Sequence, residues 1–241
     1  MAHTLEDYST KYKLAKVFSN VDDAELAART SQYTSVDRRG NVVWYDDFES
    51  AAAIKWFVTN TGGGTATLST TRAYHGNQSM KISTGAVLGD DVTMEKTFSL
   101  PLSRRIGAEA LFNILTVNAL IELRIMGYSG TRLYFSQFRY DQSLLSLQYL
   151  NSAGAWVDLT IYDGVSLTQE QWIPMKLVVD WDTGEYVRVI FGGTEYSLSG
   201  EKMFSAPSAT KRRIRTYIYV QTDGAVVSDV YVDNFILTQN E

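Results

Sequence analysis

The chain predicts an all-β fold of two antiparallel sheets, and three observations predict it. The segment opening on Tyr45-Asp46-Asp47-Phe48-Glu49-Ser50 and the one closing on Val230-Tyr231-Val232-Asp233-Asn234-Phe235-Ile236-Leu237 both alternate apolar and polar residues, as half-buried strands do. Between them lie about twelve to fourteen short runs at roughly 8–12-residue spacing, the rhythm of a sandwich. The first and last runs each carry carboxylates where the other could meet them, which suits two closing strands with a metal staple between them.

The elements follow in order. Lys55 to Val58 precedes a Gly62-Gly63-Gly64 turn, and Thr65 to Ser69 follows it. Tyr74-His75-Gly76-Asn77 reads as a turn into Ser79 to Ser83, and Val92 to Leu100 stops at Pro101. Gly107 to Val117 and Leu120 to Met126 are long and apolar, as central strands are. Leu133 to Tyr140, Leu144 to Leu150 and Trp156 to Ile161 form a meander. Trp172 to Asp180 and Tyr186 to Phe191 face each other across Asp182-Thr183-Gly184, a strong hairpin signal. Thr194 to Leu198, Arg213 to Gln221 and Val227 to Leu237 complete the series. The domain is expected over 45–241.

Residues 1–44 differ in character. They are charged, and the one helical candidate is Val21 to Thr30, with Asn20 or Asp22 as N-cap. Tyr8, Tyr12 and Phe18 are scattered apolar residues with no core of their own. The segment is expected to be an extended, partly helical arm that docks on a partner. Its start has neither a basic run nor an apolar stretch, so no signal peptide is expected.

With 22 basic and 27 acidic residues the net charge is −5. That gives no electrostatic case for nucleic acid or an anionic membrane. No cysteine is present, which excludes disulfides and thiolate metal sites.

At this point the residues resemble a known superfamily. Asp46-Asp47-Phe48-Glu49-Ser50, the following Trp56, the glycine turn, Tyr74-His75-Gly76-Asn77-Gln78-Ser79-Met80-Lys81-Ile82 and the late Tyr231-Val232-Asp233-Asn234-Phe235 are similar to carbohydrate-binding-module jelly rolls. Trp172 to Asp180 with Thr183-Gly184-Glu185-Tyr186-Val187-Arg188-Val189 resembles the concanavalin-like and laminin-G-like sandwiches. The resemblance covers about residues 45–238 and implies a jelly-roll sandwich, a fold that hosts lectins, glycanases, adhesins and virion proteins alike. It also implies a structural calcium joining the first strand, the glycine turn and the last strand. Carried over residue by residue, its ligands are Glu49 or Asp47, Asn77 or the backbone near His75-Gly76, and Asp233. These residue types suit calcium, which takes six to eight oxygen ligands. The competing reading makes Glu49 and Asp233 the solvent-facing members of alternating strands.

Catalysis finds little support. The two histidines, His3 and His75, cannot form a zinc cluster, and no Gly-x-Ser-x-Gly elbow is present. A sandwich glycanase needs carboxylates two apart on a central strand. Glu109 and Glu122 have no such partner, and Asp180 and Asp182 flank a turn that favours Asp on its own account. A non-enzymatic protein is expected, with a glycan hydrolase as the weakest of three readings.

Binding has more material. Tyr128, Tyr134, Tyr140 and Trp156, with Tyr149, lie on or beside the meander and offer a candidate aromatic platform for glycan. Tyr134 and Tyr140 share a face if the strand is unbroken. Core and cross-strand aromatic pairing, which strands favour in any case, is the preferred explanation of the same residues. Lys211, Arg212 and Arg213 form a basic cluster that reads either as a solvated strand start or as a contact for an acidic neighbouring subunit. Together these observations favour a virion structural protein of a bacteriophage (capsid decoration, head-surface or tail-associated) at the virion surface, assembling as a homo-oligomer or with other virion subunits. The alternative is a free-standing, extracellular carbohydrate-binding module or lectin.

Overall fold

A computed structural model describes residues 37, 39–50, 55–99, 104–116, 118–161 and 171–241. The expected helix over 21–30, and Tyr8, Tyr12 and Phe18, lie outside them. The described strands are β1 (Asn41–Asp46), β2 (Phe57–Asn60), β3 (Thr65–Ser69), β4 (Ser79–Ser83), β5 (Asp91–Phe98), β6 (Arg105–Ile114), β7 (Ala119–Tyr128) and β8 (Arg132–Asp141). They continue as β9 (Ser146–Leu150), β10 (Trp156–Ile161), β11 (Ile173–Asp180), β12 (Glu185–Phe191), β13 (Thr194–Ser197), β14 (Phe204–Pro207), β15 (Arg213–Thr222) and β16 (Asp229–Gln239).

All pairings are antiparallel, and the strands form two sheets. The first runs β13-β12-β11-β6-β16-β4-β3, with β1 also on β16; the second runs β10-β9-β8-β7-β15-β5-β2, with β14 also on β8. Side chains alternate across each strand, so one set from each sheet meets in the core. Ala108, Ala110 and Phe112 of β6 and Met175, Leu177 and Val179 of β11 are buried there with Ile121, Leu123 and Ile125 of β7 and Ile218 and Val220 of β15. β6 and β7 are central strands, as their apolar runs predict.

Several boundaries shift by one to three residues from the sequence reading, as where β9 begins at Ser146 rather than Leu144, and three departures are larger. β1 begins at Asn41, inside the stretch expected as arm, because Val42 and Trp44 continue the ladder against Thr238 and Leu237, with Val43 at a bulge between them. The opening strand also ends at Asp46 rather than Ser50. Phe48 sits at φ 56, and the Asp46 and Asp47 carboxylates accept from the N–H groups of Phe48 and Glu49. Those turns compete with strand continuation. β14 was not expected at all, since four residues ending in proline carry almost no strand signal.

The first and last strands do pair. β16 changes partner midway: Asp229 to Val232 face β4, whereas Phe235 to Gln239 face β1. Asp233 and Asn234 fall in the gap, at a bulge where the register with β6 shifts and Asn234 takes φ 49. Such bulges re-aim side chains.

The outer face of the first sheet holds a buried ionic network. Lys176 of β11 is 1% exposed, with its Nζ 3.0 Å from Asp37, 2.8 Å from Glu241 and 3.7 Å from Glu109 of β6. Arg188 of β12 joins Asp37 at 2.9 Å and also contacts Glu241.

Candidate functional site

Two places combine chemistry with defined geometry. The first is the gap in β16. Asp233, fully buried, accepts at Oδ2 from the N–H groups of Tyr74 (2.8 Å) and His75 (3.2 Å), and at Oδ1 from its neighbour Asn234 (2.8 Å). Glu49 Oε1 accepts from the N–H groups of Asn77 (2.8 Å) and Gln78 (2.9 Å). Gly76, at φ 71, lets the turn pass so close that a Cβ there would lie 2.3 Å from Glu49 Oε1. Asn234 ties the arrangement together, accepting from Tyr45 Oη at 2.9 Å and meeting His75 Nδ1 at 3.0 Å. Glu49 and Asp233 therefore hold one turn together, Asp233 at residues 74 and 75 and Glu49 at residues 77 and 78. Neither is merely a solvent-facing member of a strand.

Burial pushes the Asp233 carboxyl up to about 6 despite its three N–H bonds, and the charge of Glu49 adds to the rise. Asp47 and Asn77 contribute less than expected: the Asp47 carboxylate turns back onto Glu49 N, and the bond recorded from Asn77 to Glu49 uses its main-chain N–H. Among the described residues no three His, Cys, Asp or Glu side chains gather as a metal-binding group. A cation here would be held by Glu49 and Asp233 with main-chain carbonyls and water, a ligand set that calcium accepts.

The second place is the outer face of the second sheet. Tyr134 and Tyr140 do share a face of β8, but it is the inner one. Tyr140 is fully buried against Phe191 (4.9 Å), and Tyr134 packs on the core and on Trp181 (6.0 Å). Tyr149 also turns inward, its hydroxyl bonding Glu201. These three are core aromatics and leave the platform. Tyr128 and Trp156 stay on the outer face, half-buried.

Cross-strand register sets their neighbours. One rank across the sheet reads Asp158, Gln148, Arg139, Glu122, Tyr219 and Thr93. The Arg139 guanidinium lies 3.8 Å over the Trp156 ring, and that of Arg124 lies 3.8 Å over Tyr219. Glu122 is 3% exposed and salt-bridged to Arg124; burial nevertheless raises its carboxyl above the usual range. Asp158 accepts from Ser146 and Gln148, which lowers its carboxyl. Burial, with the charge of Asp91, pushes the Tyr219 phenol up to about 12, so it is a neutral donor at ordinary pH. The face thus presents rings clamped by guanidinium groups, with amides and carboxylates between them. Sequence reasoning did not single out Arg124, Arg139, Tyr217 or Tyr219. The alternation Arg213-x-Arg215-x-Tyr217-x-Tyr219-x-Gln221 was the available signal.

Of the basic cluster, Lys211 and Arg212 are exposed ahead of β15, and Arg213 stands on this same outer face.

No family model and no curated protein matches the chain. Solved structures do. An endo-β-1,4-glucuronan lyase from the fungus Trichoderma reesei superposes with a TM-score of 0.57 at 11% identity, over 83% of this chain and 96% of that one. The carbohydrate recognition domain of Emp47p gives 0.52 at 11% identity, over 85% and 99%. These likenesses show a shared two-sheet β-sandwich fold. A carbohydrate esterase from a Shiga toxin-encoding bacteriophage shares it, at 0.52 and 15% identity over 84% and 100%. The fold therefore occurs here in enzymes and in a recognition domain, and the likeness establishes the fold alone.

Proposed function

We propose that the chain is a non-enzymatic glycan-binding sandwich displayed on a virion surface, as a capsid-decoration, head-surface or tail-associated subunit of a bacteriophage. The observation that carries glycan binding is the outer face of the second sheet, where Trp156, Tyr219 and Tyr128 stand among hydrogen-bonding side chains. Aromatic rings supply apolar area to a sugar face, and the groups between them supply hydroxyl partners. The three comparison proteins are each named for a carbohydrate or its recognition, which supports the same reading. Against catalysis, Glu122 is tied to Arg124 and Asp158 to Ser146 and Gln148, so neither carboxylate is free for acid or nucleophile work.

The virion assignment is supported by the composition of residues 1–36, whose scattered Tyr8, Tyr12 and Phe18 suit docking on a neighbouring subunit. Exposed Lys211 and Arg212 suit an acidic neighbour. Calcium is proposed between Glu49 and Asp233, where it would hold the first strand, the 74–78 turn and β16 together.

A glycan array tests the central claim. The full chain is expected to bind a saccharide set, and Trp156→Ala is expected to lose at least about ten-fold in affinity, as a central aromatic contact does. An empty array, or a Trp156→Ala variant that binds as well as wild type, sinks it. Light scattering tests assembly, comparing the full chain with one shortened to begin at Val36. A defined oligomer that becomes a folded monomer supports the virion reading. Two monomers favour the free-standing lectin, which the likeness to a recognition domain also suits. The cut belongs at Val36 because one at Asn41 would remove Asp37 from the buried network.

A further inference from the structure

The outer face of the second sheet is not uniform in charge. At the end where β15 begins, Arg213 lies across from Tyr128 of β7, and Arg215 lies across from Met126. Their guanidinium carbons are 5.1 and 5.8 Å from the Tyr128 ring centre, so one ring carries two cations. Arg215 has a counter-charge, Glu95, at 3.2 Å. Arg213 has none: among the described residues no carboxylate lies within ion-pair distance, and its Nε is buried without a hydrogen-bond partner. Lys211 and Arg212 stand exposed just ahead of it. Among the described residues, the two guanidinium groups placed at this end of the face, Arg213 and Arg215, have one carboxylate, Glu95, in ion-pair contact.

A guanidinium drawn partly out of water, with one N–H unmatched, is unfavourable unless something pairs it. Its planar fork fits an oxyanion by two parallel bonds. We propose that this end of the face is an anion subsite, and that the glycan bound there is acidic, placing a carboxylate or sulfate on Arg213 and Arg215 with its ring on Tyr128. The proposal rests on the glycan-binding reading and names the class of saccharide. An acidic saccharide fits better than an acidic protein segment because the aromatic side chains continue along the face. Tyr219 follows on β15, half-buried, beyond the buried Tyr217, and Arg213 to Tyr219 spans six residues, about 20 Å at roughly 3.4 Å each. That is the length of an extended oligosaccharide.

Calorimetric titration of the full chain decides it, using polygalacturonate oligomers, the same oligomers after carboxyl reduction, and chondroitin sulfate oligomers. The acidic ligands are expected to bind at least about ten-fold more tightly than the reduced one, with affinity falling as salt rises. Arg213→Gln is expected to erase that preference, and Arg213→Lys to restore part of it. Tyr219→Ala is expected to weaken acidic and neutral ligands alike. Chondroitin sulfate carries carboxylate and sulfate together, so any gain over polygalacturonate reports what sulfate adds. If reduced and acidic oligomers bind equally, the anion subsite falls while the glycan face stands; that comparison needs no variant and so survives any folding defect in Arg213→Gln. If no saccharide binds and an acidic peptide does, the proposal and the glycan reading both fall.

Discussion

Replacing Lys176 with methionine is expected to destabilise the protein by about 3–5 kcal/mol, the cost of breaking a buried ion pair by removing one partner. Methionine keeps most of the side-chain length, so packing changes little. What changes is charge. Lys176 Nζ sits between Asp37, Glu241 and Glu109 on neighbouring elements, at 3.0, 2.8 and 3.7 Å. Burial raises the Asp37 carboxyl, but bonds from Arg39 and Arg188 and the charge of Lys176 outweigh it and hold the group well below the usual carboxylate range. A folded carboxylate depressed in this way contributes stability above its ordinary value near 3.8 and loses it as pH falls further. Without the ammonium, several carboxylates share Arg188 and Arg39. For a domain of this size the melting temperature should fall by roughly 10 °C, at about 2–4 °C per kcal/mol. Adding Glu109→Gln to Lys176→Met should recover part of the loss, because it removes one stranded charge. Urea denaturation of the four chains of that cycle measures it. A single-variant loss under about 1 kcal/mol would mean that the network is no tighter than a surface pair.

Much of the fold was legible in the sequence, because strand period and turn chemistry are local. The hairpin around Asp182-Thr183-Gly184 and the central strands β6 and β7 emerge from a few residues each. Which face a strand turns inward is not local, and the aromatic platform shows the consequence. Tyr134 and Tyr140 share parity on β8, as their spacing of six requires, but parity names no side. Phe138 between them, fully buried, sets the side only once the second sheet is in place. The ionic network was equally hidden: Asp37, Glu109, Lys176, Arg188 and Glu241 are scattered over the whole chain and meet only through sheet order. The turn clamp was more visible. Glu49 and Asp233 came from a resemblance between motifs, and the structure brings both to one turn. That the two grip it largely through main-chain N–H groups follows from the partner change and bulge in β16, which no composition rule reveals.

That clamp supports the second large prediction, in which the sign of a pH effect reports a cation. Asp233→Ala leaves the N–H groups of Tyr74, His75 and Asn234 without their acceptor, at about 1–3 kcal/mol for each that stays unsatisfied. In wild type the folded carboxyl titrates at about 6, above its ordinary 3.8. Ionising it therefore costs stability: the penalty is present above about pH 6 and fades as pH falls toward 4. A rise of about two units corresponds to about 3 kcal/mol. In chelator the deficit of Asp233→Ala should accordingly be small at pH 7.5 and grow as pH falls to 4.5, because wild type sheds its penalty and the variant has none to shed. Calcium reverses the order. A cation between Glu49 and Asp233 favours the ionised form, stabilises the fold in proportion to the logarithm of its concentration once above its dissociation constant, and makes the deficit largest at pH 7.5. Melting curves of both chains at the two pH values, in chelator and in millimolar calcium, give four differences. If calcium shifts neither chain, the clamp works through its N–H bonds alone and the cation is absent. If it raises wild type but not Asp233→Ala, and most strongly at the higher pH, Asp233 is a calcium ligand as well as the anchor of the turn.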